Sequence, residues 1–159
     1  MKTLLISLTF LLSFLVSFGQ QKRTGFDDFH SFVQEKYNVP ASVRNNCDWQ
    51  YAIVKLTVDD NNRVTNYTTL NEVSKDFFNS LAHLKGYQFN RNIPIHKRPV
   101  VFYLTIENDE HPCDVPPKHI TSAMATSSVF AYLHAQQEKQ PNTLFIFNPI
   151  VILLLEPVK

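Results

Sequence analysis

Residues Leu144 to Leu155 read Leu-Phe-Ile-Phe-Asn-Pro-Ile-Val-Ile-Leu-Leu-Leu, an uncharged apolar run broken only at Asn148-Pro149. Such a run is too short to span a bilayer, which takes roughly 20 apolar residues. Left exposed, a β-prone segment without charge promotes aggregation, so the fold has to hide it. The expectation is one or two strands buried within the chain, with Ile150, Ile152 and Leu154 on the inward face. The alternative is a partner-facing surface of a homo-oligomer.

The other apolar stretch lies at the opposite end. Lys2 supplies a positive charge, Leu4 to Phe18 is almost wholly apolar, and Ser17 and Gly19 place small residues at the −3 and −1 positions of a signal-peptidase site before Gln20. This pattern predicts a signal peptide over 1–19 and a periplasmic or secreted product with no stable membrane span after cleavage; retention as an anchor is the alternative. Taking Lys2 from the 15 basic residues leaves 14, equal to the 14 acidic ones, so the exported chain carries no formal net charge. The longest basic grouping is His96-Lys97-Arg98, which reads as a solvated turn, and nucleic acid is not an expected partner. With only Gly25 and Gly86 beyond residue 19, closely spaced glycines that would cradle a phosphate or dinucleotide are missing, and no cofactor is expected.

Between these ends the periodicity changes twice. Phe26, Phe29, Val33 and Tyr37 follow helical spacing from near Asp27 or Asp28, with Pro40 as the stop. From Tyr51 the period becomes two: Ala52, Val54, Leu56 and Val58 share a face, with Ile53 as an apolar exception on the other. Asp59 to Asn62 reads as a turn, and Val64 to Leu70 as the returning strand of a hairpin. Ser74 fits a helix N-cap, Phe77, Phe78, Leu81 and Leu84 form a buried stripe, and Gly86 fits a carboxyl-terminal cap. Val100 to Glu107 alternates as a third strand, and a weaker helical pattern covers Ala123 to Gln137 after a proline-bearing loop. The expected fold class is α+β, a small antiparallel sheet with a strand-strand-helix-strand core packed on one main helix, plus a strand-rich carboxyl-terminal segment. The corresponding divisions are 1–19 signal peptide, 20–50 amino-terminal helix and connector, 51–107 central domain and 108–159 loop, weak helix and apolar strands.

Val39-Pro40, the strand from Ala52 to Val58 leading to Arg63-Val64, Leu81 and Leu84, Tyr87-Gln88-Phe89, Pro94 and Lys97-Arg98-Pro99-Val100 up to Ile106 together resemble the carboxyl-terminal domain of TonB. The resemblance spans about residues 39–107. It implies an exported, non-catalytic recognition module of the bacterial cell envelope, possible links to outer-membrane transport, and capture of an envelope protein or peptide by strand addition. The hairpin turn lacks the family's usual glycine and no long proline-rich linker is present, so energy transduction is not implied. The expected partner-binding edge is the third strand, through Val101, Tyr103 and Thr105. A second reading, from another class, is a periplasmic carrier of a small apolar ligand held between the sheet and Leu144 to Leu155.

Catalytic and metal signatures are sparse. His111, Cys113 and His119 with Asp114 offer zinc-type ligands, but neither C-x-x-C nor H-E-x-x-H spacing occurs, and no metal site is expected. Ser122, Ser127 and Ser128 have no strained nucleophile turn around them, Asp59-Asp60 reads as turn chemistry, and His30, His83, His96 and His134 read as surface or loop residues, so no enzyme activity is expected. Cys47 and Cys113 are the two cysteines; a disulfide between them is the expectation for an exported chain, with free structural thiols and a reactive thiol as alternatives. Closing that loop would stabilise the fold by about 4 kcal/mol in the chain-entropy view. Intact mass and thiol titration of the secreted protein check both expectations together: a chain beginning at Gln20 with no free thiol is predicted, and a full-length membrane-integral chain or two reactive thiols would contradict them.

Overall fold

The computed structural model describes residues 25–45, 49–108 and 122–154. The signal-peptide reading, both cysteines, His111, Asp114 and His119 lie outside the described residues. The elements are α1 (Asp27–Lys36), α2 (Ala41–Arg44), β1 (Gln50–Val58), β2 (Val64–Thr69), α3 (Lys75–Ser80) continuing as a 3₁₀ turn (Leu81–Leu84), β3 (Val100–Asn108), α4 (Ser122–Lys139) and β4 (Leu144–Leu154). The strands form one mixed sheet in the order β2-β1-β3-β4, in which β1 runs antiparallel to both β2 and β3 while β4 runs parallel to β3. The fold is α+β as the sequence predicts, with two differences: the sheet is mixed, and helices cover both of its faces.

The first face carries the main core. Ala52, Val54, Leu56 and Val58 of β1, Val100, Phe102, Leu104 and Ile106 of β3, and Ile146, Ile150, Ile152 and Leu154 of β4 are buried beneath Phe29 and Val33 of α1, Phe77 of α3, and Leu81 and Leu84. Phe29 is the hub. Its ring lies 5.1 Å from Phe89 and from Phe102 and 5.2 Å from Tyr87, with edge-on contacts to Phe102 and Tyr87 that suit aromatic quadrupoles. Local signals place these helices. The Ser74 hydroxyl accepts the Phe77 N–H at 3.2 Å, capping α3, and α1 ends at Lys36, where Tyr37 turns extended. Pro40 does not stop α1; it sits as the N-cap residue of α2, a position that suits its fixed φ.

The second face is covered by α4, whose Val129 and Leu133 pack on Ile53, Val101 and Tyr103. This explains Ile53, which as the odd apolar residue of β1 faces a helix and not solvent. Parallel pairing of β4 with β3 requires a crossover of a dozen or more residues, and the helix α4 lies in the connection between them.

The apolar run is a single strand, with Ile146, Ile150, Ile152 and Leu154 buried. The Asn148-Pro149 break falls in an irregularity of the ladder, where Phe102 pairs with Ile146 but Leu104 with Ile150. Pro149 has no N–H to give to a ladder, which suits it to a bulge on an edge strand. Because Ile146 and Ile150 are separated by an even number of positions, both stay on the core face. β4 therefore lies within the sheet and not over it, so the layer in which the carrier reading would shelter a ligand is absent from the described residues. No helix among them is long and apolar enough to cross a membrane.

Ile150 is fully buried. Replacing it with Asp places an unpaired charge in the main core and removes apolar packing, and is expected to cost about 3 to 5 kcal/mol. Loss of the cooperative thermal transition in circular dichroism is the predicted result; a melt close to wild type would show that β4 is not a core strand.

Candidate recognition edges

The strand expected to form the binding edge is interior. β3 pairs with β1 from Val100 to Ile106 and, on its other side, with β4 except at the irregularity around Tyr103, so it lies between two strands. Val101, Tyr103 and Thr105 are buried, under α4 and against β1, and cannot receive an added strand. The correction has a readable cause: Val100 to Glu107 read as alternating suggests a one-sided strand, but Val100-Val101-Phe102-Tyr103-Leu104 is continuously apolar, the pattern of a strand covered on both faces.

The sheet's edges are β2 and β4. On β2, the ladder with β1 includes Leu70 N–H to the Ile53 carbonyl at 2.8 Å, and the register Lys55 with Thr68 and Thr57 with Asn66 continues that phase. Main-chain groups of Tyr67 and Thr69 consequently point away from the sheet. The amino-terminal part of this edge is filled. Val64 N–H donates to the Tyr87 carbonyl at 2.9 Å and Gly86 N–H to the Val64 carbonyl at 2.8 Å. Gly86, at φ 85°, supplies the left-handed turn that brings this segment alongside. The carboxyl-terminal part carries no such partner among the described residues.

Beside that open part lies a shallow groove of about 680 Å³ formed by Thr69, Leu70, Asn71, Glu72, Val73, Lys75 and Phe78. Leu70 is 44% exposed there, one of three large apolar side chains exposed among the described residues. Asn71 fixes the groove's geometry. Its Oδ1 accepts the Ile53 N–H at 2.7 Å and its Nδ2 donates to the Tyr51 carbonyl at 3.1 Å, so one side chain extends the ladder beyond the end of β2. Tyr67 holds the groove's far wall by donating its hydroxyl to the Phe78 carbonyl at 3.2 Å. Neither Asn71 nor Leu70 is marked by periodicity; the only sequence signal is an Asn directly after a β-branched strand, where turn residues are common.

The α4 face gathers aromatic residues near the same end of β1, where Asn71 bonds to the Tyr51 carbonyl. Trp49 stacks on Tyr51 with centroids 4.6 Å apart, and Tyr103 contacts Tyr51 at 5.9 Å and Phe130 at 6.2 Å. Burial pushes the Tyr103 phenol above its ordinary value, with the Thr105 and Thr126 hydroxyls opposing the shift.

The residues weighed for catalysis are dispersed. Asp59 Oδ1 accepts the N–H groups of Asn61 and Arg63, both at 2.9 Å, which is turn chemistry, and Asp60 pairs with exposed Lys97 at 2.6 Å. Lys97 and His96, both at positive φ, form the solvated turn expected of the basic trio. Ser127 and Ser128 lie exposed on α4. No group of three or more His, Cys, Asp or Glu side chains suited to a metal occurs among the described residues.

His83 differs from its expected place on the surface. Its ring packs beside Phe32 and Tyr37 at 5.9 and 5.8 Å, and Nδ1 lies 2.8 Å from the Ser80 carbonyl, to which it can only donate. Nε2 is then the unprotonated nitrogen, buried without a hydrogen-bond partner. Burial lowers the His83 pKa, opposed by the Ser80 carbonyl, and burial also lowers that of His30, opposed by Asp27. Below the ordinary value of 6.5 the unfolded chain takes up protons that the folded one resists, so stability is full above 6.5 and falls as pH drops toward the lowered folded values. Melting temperatures measured between pH 7.5 and about 5 should decline, and His83→Phe, which keeps a ring but cannot titrate, should flatten the decline in part. An unchanged slope in that variant would contradict a half-buried His83 kept neutral.

Comparison with known proteins places no relative beside this geometry: no protein-family model, no curated protein and no solved structure matches the chain.

Proposed function

We propose that the protein is an exported, non-catalytic recognition module of the bacterial cell envelope, periplasmic or secreted, that captures an extended segment of another envelope protein by strand addition. The sequence resemblance to the TonB carboxyl-terminal domain points to the compartment and the class of partner. The observation that carries the mode of binding is the open half of β2, where the outward main-chain groups of Tyr67 and Thr69 adjoin the groove around exposed Leu70. An added strand hydrogen-bonds to those two residues. A side chain from it enters the groove over Leu70, Val73 and Phe78, between the opposite charges of Glu72 and Lys75. Affinity then comes from main-chain pairing and selectivity from the groove.

Thr69→Pro removes one outward N–H at an edge position where proline is tolerated, so the fold should survive while partner affinity falls about tenfold or more. A photo-reactive residue placed at position 70, cross-linked in cells and analysed by mass spectrometry, is expected to capture one extended segment of an envelope protein, with capture reduced by Thr69→Pro. Capture that is insensitive to Thr69→Pro, or none above background, would overturn the reading.

A further inference from the structure

The second edge strand differs from β2 in kind. β4 contains no charged residue over its eleven positions, and it is joined to the sheet only through β3. Leu144 N–H bonds to the Pro99 carbonyl at 2.8 Å, which fixes the even-numbered residues of the first half as those facing β3; after the bulge Ile150, Ile152 and Leu154 continue on the core face. The main-chain groups of Val151 and Leu153 point outward. Gln34 of α1 marks this directly: its Nε2 donates to the Val151 carbonyl at 3.3 Å, in the place a neighbouring strand's N–H would occupy. That side chain is exposed and makes a single long hydrogen bond, so an incoming strand displaces it easily.

Phe145, Phe147, Val151 and Leu153 share the α4 face of β4. α4 covers this row only in part. His134 stacks on Phe147 at 4.2 Å, whereas Leu153 is 55% exposed, the most exposed large apolar side chain among the described residues. An open main-chain edge and a half-exposed apolar row therefore coincide on one strand.

We infer that β4 pairs antiparallel with β4 of a second copy of this chain, joining two four-stranded sheets into one across a two-fold axis. Charge decides the occupant. An edge bearing charges would select a partner of opposite pattern and repel its own copy, but a neutral apolar strand opposite itself meets no like-charge pair, and a two-fold places identical rows side by side so that each Leu153 is covered. Natural edge strands that remain unpaired are usually guarded by Lys, an inward charge, a short length, a proline or a bulge; on β4 the guards are Pro149 and its bulge, both before Ile150, and Ile150 to Leu154 carry none. The interface is separate from the β2 groove, so either can fail without the other.

Sedimentation velocity combined with residue-resolved hydrogen exchange tests the pairing on the full secreted protein. Expected are a dimer at micromolar concentration, slow exchange of the Val151 and Leu153 amides, and a Leu153→Glu variant that keeps its melting transition but dimerises at least tenfold more weakly with both amides exchanging quickly. A monomer at about 100 µM would overturn the inference, since a specific interface of ordinary size associates well below that. A dimer with unprotected Val151 and Leu153 amides, or one unaffected by Leu153→Glu, would place the interface elsewhere. A monomer with protected amides would mean that another part of the same chain covers β4, and would equally overturn it.

Discussion

Everything in this fold depends on the pairing of β3 on both sides. Its antiparallel ladder with β1 runs from Val100 to Ile106, and its parallel ladder with β4 runs from Val100 to Asn108. The parallel half is the more consequential, because a strand cannot return parallel to its predecessor through a tight turn; the chain has to cross a face of the sheet, and it does so as α4. With α1 and α3 already on the other face, β1 and β3 are sandwiched. That geometry needs apolar residues at consecutive positions, and Ile53, Val101 and Tyr103 are those that face α4.

The same pairing determines where recognition can occur. An interior strand has no hydrogen bonds to offer, so the outward groups of the sheet are confined to β2 and β4. The two edges have different chemistry. β2 is short, polar on its solvent side and half closed by Gly86 and Tyr87, leaving Tyr67, Thr69 and an adjacent groove with one apolar patch between opposite charges. β4 is long and neutral. A selective site for a foreign segment fits the first, and self-association fits the second, so one sheet can carry both without competition.

Much of this was legible in the residues because local chemistry and tertiary packing agree. Alternation in β1, the Asp59 to Asn62 turn, the Ser74 cap and the phenylalanine spacing of α1 each yield the observed element. What escaped is long-range. Nothing local in Leu144 to Leu154 says whether the strand runs parallel or antiparallel, or beside which neighbour, and that one choice moves β3 from the edge to the interior. The consecutive apolar residues from Val100 to Leu104 and the exception at Ile53 were the signals of a two-sided sheet, and read together they favour an interior β3. The site residues Leu70 and Asn71 had no comparable signal, because Asn71 acts through two hydrogen bonds to β1 that exist only once the hairpin is formed.

Native-state hydrogen exchange followed by NMR bears most directly on this architecture, since it reads each main-chain N–H separately. With β3 in the interior, the amides of Val101 and Thr105, which face β4, exchange only through global unfolding, while the outward amides of Tyr67 and Thr69 on β2 exchange through local opening many times faster. Fast, denaturant-insensitive exchange at these two β3 positions, comparable to that on β2, would place β3 at an edge and contradict the sheet order.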